Sequence, residues 1–419
     1  MDDLIRNYVP KMLTGSELDE ALKIVPEYDS AIIKATEAER LIALQDLYGV
    51  YIPTEMSREI YAKLYLALFR SMSKKRSLAA VRQFSENQNR VRGKEFTSII
   101  GGSDSFTIIG DSGIGKSATV SRVIDLISKQ CVIDLPNGMR IIPCVQVQTP
   151  ADCSVKGLLF EILRKIDEIL DTRYLYNATR VGSTTDMLIG SVSTVALNHI
   201  GLLVVDEIQN VVNSKNGSVV VGMLTQLINN AGISICMVGT PKSALFFGQE
   251  MILARRSLGL TYGPFSYDGD FAGFCAELFR YQYVQNETVL DESILQWLYN
   301  HSKGNASVVV SLLHDAQEIA ILDGSEKLNT TALEKAYKNR LSMLHDYLYQ
   351  DPVRGKRVSG KMSAGKKTTS IGDSKQNRET DREEEQALVT EVVTRAKRLQ
   401  KSTVEELKYY GVEVTEVAV

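Results

Sequence analysis

One segment, G-D-S-G-I-G-K-S at positions 110–117, restricts the possible folds of this chain more than any other feature. It follows a short apolar run at 106–109, and it precedes residues 118–127, whose apolar positions recur at helical spacing. A strand, this loop and a helix, in that order, form the phosphate-binding loop G-x-x-x-x-G-K-[ST]. Backbone N–H groups and a helix N-terminus then surround phosphate oxygens. The sequence therefore predicts a nucleoside triphosphate site.

The loop pattern also assigns individual contacts. Lys116 is predicted to reach the β and γ phosphates, and the Ser117 hydroxyl is predicted to bind Mg²⁺. The alternative, a chance glycine-rich turn before a helix, does not explain why strand, loop and helix are all in register. The residues predicted to bind ATP are Gly110, Asp111, Ser112, Gly113, Ile114, Gly115, Lys116, Ser117 and Ala118.

A second part of the site is predicted at 201–207, where an apolar run ends in two acids. Such a run is typical of a central parallel strand, and ligands bind at the carboxyl ends of such strands. Asp206 is predicted to hold Mg²⁺, directly or through water, and Glu207 to polarise the attacking water. Together with the loop, this pattern predicts that the chain binds and hydrolyses a nucleoside triphosphate.

The order of patterns predicts an α/β fold, a parallel sheet flanked by helices, with a helical N-terminal region and a small helical lid. The predicted strands are 106–109, 141–147, 202–206, 233–238 and 260–267. The predicted parts of the chain are a helical region at 1–95, a nucleotide-binding domain at 96–270, a lid at 271–350, a basic disordered linker at 351–380, and a helix with a docking tail at 381–419.

Charge and composition restrict the partners. The net charge is -3, so nucleic-acid binding must depend on local patches. Residues 70–94 carry eight basic residues and one acid; a solvated helix face and a DNA contact both remain open for them. No apolar run approaches membrane-spanning length, and the odd number of cysteines without C-x-x-C spacing favours reduced thiols. We expect a cytoplasmic protein without a membrane partner.

Two polar features follow the fourth predicted strand. Thr240 ends that strand, and its hydroxyl is predicted to reach the γ-phosphate or the attacking water. Arg255 and Arg256 form a twin arginine just before the fifth strand. Compensation of a helix dipole is the commoner role of such a pair. A small-molecule kinase also uses a phosphate loop, but Glu207 directly after Asp206, together with the twin arginine, argues against one.

These motifs resemble those of the AAA+ ATPases. Residues 198–210, N-H-I-G-L-L-V-V-D-E-I-Q-N, are similar to the second nucleotide motif of TnsC/TniB-type transposition ATPases. The segments V-G-T-P-K at 238–242 and A-R-R at 254–256 are similar as well, and Y-I-P at 51–53 lies where that family has its N-terminal region. The resemblance covers roughly residues 50–345 and is most specific at 198–256.

The resemblance implies a DNA-stimulated ATPase of bacterial transposition, located in the cytoplasm and associated with the nucleoid. Such proteins assemble with ATP into homo-oligomeric rings or helical filaments on double-stranded DNA. They link a target-selector protein to the transposase, and ATP hydrolysis dissolves the assembly. Arg255 or Arg256 would then reach the γ-phosphate of the neighbouring subunit.

The resemblance also implies contacts to DNA and to the lid. The positions that match the family's channel residues are Lys156, Ser183 and Thr184, which suit phosphate oxygens; on chemistry alone they are equally well ordinary surface residues. Lids of this class often carry an arginine near 304–307, where this chain has Gly-Asn-Ala-Ser, so a lid contact to nucleotide is absent or is made by Lys303.

One alternative function remains open, that of a helicase loader or replication initiator with the same fold. Stimulation of hydrolysis by double-stranded rather than single-stranded DNA distinguishes the transposition regulator from it.

Overall fold

The structure is a computed structural model of the chain. It describes residues 8–75, 105–135, 138–150, 154–180, 184–211, 220, 222–224, 227, 233–243 and 259–341. The chain divides into two units, Met1–Gln350 and Asp351–Val419, and every described residue belongs to the first. The predicted linker at 351–380, the predicted helix and tail at 381–419, and most of the basic segment at 70–94 therefore lie outside the described residues.

A six-stranded sheet organises the described residues, with the strand order β2-β3-β4-β5-β1-β6. Strands β1 and β3 to β6 run parallel, and β2 pairs antiparallel with β3. The strands are β1 (Ser105–Gly110), β2 (Ile133–Asp134), β3 (Arg140–Gln148), β4 (Ile200–Asp206), β5 (Ser234–Gly239) and β6 (Leu260–Tyr262). The α/β fold predicted from the sequence, a mostly parallel sheet flanked by helices, is confirmed.

Two details of the sheet differ from the prediction. The last strand was predicted at 260–267 but ends at Tyr262. Beyond it, Pro264 has no N–H to donate, and the Phe265 N–H donates to the Gly304 carbonyl at 2.9 Å instead of to a strand. Strand β2 was not predicted, because two residues are too short to show a periodic pattern.

Helices cover both faces of the sheet. Along β4, Leu203 and Val205 belong to one core, whereas Leu202 and Val204 belong to the other. This alternation explains why β4 is apolar throughout, since both of its faces are buried. The helices between strands are α5 (Lys116–Ile127), α6 (Val155–Leu170), α7 (Tyr174–Arg180) and α8 (Thr185–His199). Helix α5 packs on the face of Leu202, and α6 and α8 pack on the face of Leu203.

Four helices lie in the described part of the N-terminal region, α1 (Gly15–Leu22), α2 (Glu37–Ala43), α3 (Asp46–Gly49) and α4 (Glu55–Lys75). Residues 30–49 form a 3₁₀ turn and two short helices rather than one continuous helix. Thr36 starts α2 because its side chain and that of Glu39 form a capping box. Helix α4 lies on the sheet, where Ser234 Oγ donates to the Ala67 carbonyl at 3.2 Å. No described helix is both long and apolar enough to cross a membrane.

The lid consists of α9 (Gly269–Phe279), α10 (Glu292–Ser302), α11 (Ala306–Leu322) and α12 (Thr330–Ala336). Its core includes Leu44 and Leu47 from the N-terminal region. The buried Arg40 guanidinium also binds both carboxylate oxygens of Glu326 at 2.6 Å, and it donates to the Tyr283 carbonyl at 2.9 Å. The N-terminal region is thus part of both the sheet core and the lid core, and the segment between α3 and α4 crosses from one to the other.

Candidate nucleotide-binding site

The phosphate loop connects β1 to α5, and its backbone requires glycine at two positions. Gly113 and Gly115 have φ values of 85° and 96°, in the left-handed region that residues with a Cβ rarely adopt. Helix α5 then begins at Lys116. The Lys116 side chain is buried, and its Nζ donates to the Asp111 carbonyl at 2.7 Å. Burial lowers the pKa of Lys116, and the nearby charges of Asp206 and Glu207 oppose that shift.

The two acids of the second motif lie at the end of β4. Asp206 is 3% exposed, and its Oδ1 accepts a hydrogen bond from the Glu207 N–H at 2.8 Å. Glu207 has a φ of 57°, so the chain leaves the strand through a left-handed turn at a residue that is not glycine. Such a conformation costs free energy and is held only where surrounding bonds enforce it. The turn directs Glu207 into the same cavity as Lys116.

Thr240 and Gln209 complete the polar end of the sheet. The Thr240 N–H donates to Gln209 Oε1 at 3.2 Å, and Gln209 Nε2 donates to Glu207 Oε2. The buried Thr240 hydroxyl has no hydrogen-bond partner among the described residues. The sequence analysis assigned Thr240 but missed Gln209, although its position two residues after Glu207, beyond a strand end, is the signal that would have identified it.

These residues enclose a cavity of about 200 Å³. Its lining combines an ammonium group, two carboxylates, three hydroxyl residues, one side-chain amide and the turned backbone of the loop. This donor set fits a triphosphate with Mg²⁺, because oxygen ligands suit the metal and N–H donors suit the phosphates. The lining residues are Ser112, Gly113, Gly115, Lys116, Ser117, Ala118, Asp206, Glu207, Gln209, Gly239 and Thr240.

A second, more apolar cavity of about 270 Å³ lies beside the first and shares the lining residues Gly113, Gly115 and Ala118 with it. Val50 and Ile52 line it from the segment between α3 and α4, whereas Phe265 and Val310 line it from the lid side. Tyr51 anchors that segment, since its hydroxyl donates to Thr119 Oγ1 at 2.9 Å. A flat ring linked to the phosphates would fit here, and we call this cavity the base cavity. The sequence analysis did not predict it.

The lid contacts the phosphate loop directly. Asn305 Nδ2 donates to the Ser112 carbonyl at 2.8 Å, and the Ser307 N–H donates to the Gly113 carbonyl at 3.0 Å. Ala306 and Ser307 also line the base cavity, whereas Lys303 lines neither cavity. The lid therefore reaches the phosphate loop through the start of α11, a contact that the sequence analysis did not consider; its expectation about Lys303 concerned the nucleotide and stays a prediction.

This lid contact makes Gly113 a sensitive position. A Cβ there would lie 2.6 Å from Asn305 Oδ1 and would collide with Ser307 Oγ. The left-handed φ adds about 1–2 kcal/mol for any residue with a Cβ. We expect Gly113→Ala to lower the affinity for ATP about ten-fold or more, since each 1.4 kcal/mol corresponds to a factor of ten. Titration with a fluorescent ATP analogue measures this change.

Gly273→Ala is the matched control, because Gly273 lies inside helix α9 and no described atom lies within 4 Å of a Cβ placed there. We expect its affinity for the analogue to equal that of the unmodified chain. Equal affinities in both variants would show that the loop conformation does not limit binding.

The residues predicted to contact DNA are only partly described. Lys156 lies exposed in the first turn of α6, and Thr184 caps α8 by accepting from the Met187 N–H at 3.4 Å. His199 at the end of α8 bonds to Tyr174 just after α6, so the two helices end at the same edge of the sheet and begin at the other. Ser183, Arg255 and Arg256 lie outside the described residues.

Among the residues that the structure describes, one cluster of possible metal ligands lies in the lid and does not include the predicted Mg²⁺ ligands. His314, Asp315 and Glu318 bring three ligand atoms close together. Arg340 pairs with both carboxylates there, so its guanidinium already supplies the positive charge.

The comparisons with known proteins give one family match and a set of similar solved structures. Residues 101–257 match the family described as "TniB: Bacterial TniB protein". No curated protein matches the chain. Among solved structures, the chain is similar to ORC2 of Aeropyrum pernix in ADPNP-ADP complexes, with 16% identity, a TM-score of 0.43, and coverage of 74% of this chain and 71% of that chain. It is also similar to Drosophila ORC bound to DNA, with 13% identity, a TM-score of 0.44, and coverage of 99% and 87%.

These solved structures are too distant to support an argument about function. The family match is a separate finding and does not depend on them. The matched range contains the phosphate loop, the strand that ends in Asp206, and Thr240. The parallel strands follow the order β6-β1-β5-β4-β3, with the loop strand β1 between the last two parallel strands of the chain. The similarity to the TniB family is thus confined to residues 101–257, the segment that carries the nucleotide motifs.

Proposed function

We propose that this chain is an ATP-dependent regulator of DNA transposition. In this proposal it assembles with ATP as a ring or helical filament on double-stranded DNA, links a target-selector protein to the transposase, and is released by ATP hydrolysis. The observation that carries the proposal is the TniB family match over a segment that also contains the polar cavity at the end of the sheet.

The cavity would supply groups that bind Mg²⁺-ATP and activate water. Lys116 would neutralise charge on the β and γ phosphates, and Ser117 and Asp206 would hold Mg²⁺. The metal, when bound, would stabilise negative charge that develops on the phosphate oxygens. Glu207 would accept a proton from the attacking water, and the unpartnered Thr240 hydroxyl would bind that water or the γ-phosphate.

Assembly would add one more group to the site. Arg255 or Arg256 would reach the γ-phosphate bound by the neighbouring subunit, so that hydrolysis depends on the oligomer. Such an arginine increases the rate of ATP hydrolysis by about 10³-fold or more.

DNA would lie against the starts of α6 and α8. Lys156, Ser183 and Thr184 would contact phosphate oxygens, which fix the position of the duplex but do not read its sequence. The segments at 351–380 and 381–419 would reach the transposase, the first being basic and the second amphipathic by sequence.

The proposal predicts that double-stranded DNA of any sequence stimulates ATP hydrolysis and that single-stranded DNA does not. Binding to the duplex should need ATP and should weaken steeply with salt, because each neutralised phosphate releases counterions. Steady-state ATPase assays and negative-stain images with a non-hydrolysable analogue measure both effects.

Lys156→Ala should lower the affinity for all duplexes alike, and Lys338→Ala, which removes a lysine that is 73% exposed in the lid, is the control. Stimulation by single strands alone would favour the helicase-loader alternative. A preference for one base sequence that Lys156→Ala abolishes would contradict the proposal that Lys156 contacts only the phosphate backbone of the DNA.

A further inference from the structure

The side chain of Gln209 joins the Glu207 carboxylate to the backbone of Thr240. It lies in the 3₁₀ turn Ile208–Val211, directly after the two acids. Its amide uses both ends: Oε1 accepts from the Thr240 N–H at 3.2 Å, and Nε2 donates to Glu207 Oε2. One side chain thus connects the end of β4 to the end of β5, two neighbouring strands of the sheet.

The end of β5 has room for this contact because residue 239 is glycine. A Cβ on Gly239 would lie 2.6 Å from Ile208 Cγ2 and 3.1 Å from Gln209 Oε1. The first distance is too short for any real contact, so Ile208 would have to shift, and the second would displace the Gln209 amide. The approach of Gln209 to Thr240 therefore depends on the absence of a side chain at 239.

The turn itself does not depend on Gln209. The Asn210 N–H donates to the Glu207 carbonyl at 3.0 Å, and Asn210 Nδ2 donates to the Thr149 carbonyl at 3.0 Å. These bonds hold the backbone of the turn whatever side chain stands at 209. The Gln209 amide instead lines the cavity that holds Lys116 and Thr240.

We propose that Gln209 is a positioning residue for hydrolysis, which orients the Glu207 carboxylate and couples it to Thr240. The inference rests on the proposed ATPase function. The amide occupies Oε2 of Glu207, so Oε1 is the oxygen left to accept a proton from water. The Thr240 N–H anchors the same amide, so a phosphate or water that binds the Thr240 hydroxyl also acts on the orientation of the base.

Gln209→Ala tests this role, because it removes the amide and keeps the turn. We expect kcat to fall about ten-fold, as for residues coupled by direct contact, while KM and the affinity for an ATP analogue change less than about two-fold. The kcat of the Gln209→Glu variant should fall further, since a second carboxylate would repel Glu207. Gln130→Ala, which removes an exposed glutamine after α5, is the matched control and should leave kcat unchanged.

A double-mutant cycle separates positioning from a merely structural role. If Gln209 acts through Glu207, Gln209→Ala should cause little further loss in a chain that already carries Glu207→Gln. An equal loss in both backgrounds, a rise in KM at constant kcat, or an unchanged kcat would each overturn the inference.

The assays are run with and without duplex DNA to distinguish this inference from the proposed function. Hydrolysis that is indifferent to DNA but falls with Gln209→Ala would overturn the transposition function and support the role of Gln209. Hydrolysis that duplex DNA stimulates but that Gln209→Ala leaves unchanged would support the transposition function and overturn the role of Gln209.

Discussion

Replacing Lys116 with alanine is expected to lower the affinity for ATP by about 10²-fold or more, because hydrogen bonds to a charged group contribute up to about 3 kcal/mol each. Lys116 is the only cationic side chain among the described residues that line the phosphate cavity. It is buried, and its one described bond, to the Asp111 carbonyl, does not join distant parts of the chain. Its removal should therefore affect binding far more than folding.

Isothermal titration with ATP and Mg²⁺ measures the affinity, and thermal unfolding without nucleotide measures the stability. Lys129→Ala is the matched control, since Lys129 is exposed two residues beyond the end of the same helix. Wild-type affinity in Lys116→Ala would show that another group holds the phosphates. A collapse of the unfolding temperature would show that Lys116 supports the fold.

The same variant tests the action of the arginines between subunits. Lys116→Ala protein keeps Arg255 and Arg256, and Arg255→Ala/Arg256→Ala protein keeps Lys116, so a mixture can form composite sites with both groups. We expect the mixture to recover hydrolysis. A chain that carries all three substitutions should not rescue either partner. If hydrolysis does not recover at any mixing ratio although the two variants assemble together normally, the arginines do not act between subunits and have a structural role.

The sheet was largely predictable because its strands are buried on both faces. Strand β4 is apolar along its whole length and ends in Asp206, so its position and direction follow from sequence alone. The start of α2 after Thr36 was not predicted, since the apolar pattern continues through Thr36 and only its capping box with Glu39 marks the start of the helix. Strand β2 depends on pairing with β3, which local sequence does not encode.

The phosphate cavity was predictable in its parts, because the loop and the two acids follow fixed local patterns. The base cavity was not, since Ile52, Ile114 and Val310 are ordinary apolar residues until the fold brings them together. The contact of Asn305 with the loop was missed for the same reason: it joins residues 193 positions apart. Gln209 was missed because its role depends on the distance to Thr240, on another strand.

Replacing Glu207 with glutamine is expected to slow hydrolysis by about 10²- to 10⁴-fold, the usual contribution of a general base, and to leave ATP binding intact. The substitution preserves size, and the new side-chain carbonyl oxygen can still accept the hydrogen bond from Gln209 Nε2. The bond from the Glu207 N–H to Asp206 Oδ1 belongs to the backbone and is unaffected. What disappears is the basic oxygen that would take the proton from water.

Because hydrolysis would dissolve the assembly, Glu207→Gln should also accumulate long-lived rings or filaments on duplex DNA. Single-turnover hydrolysis, ATP titration and negative-stain imaging of one preparation measure the three effects together. Asp206→Asn is the informative comparison, since Asp206 is assigned to Mg²⁺ and lies 3% exposed beside Glu207. That variant should lose Mg²⁺-dependent binding and should not accumulate assemblies. Hydrolysis at the wild-type rate in Glu207→Gln would remove Glu207 as the base. Slow hydrolysis without accumulation of rings or filaments would show that ATP hydrolysis does not drive disassembly.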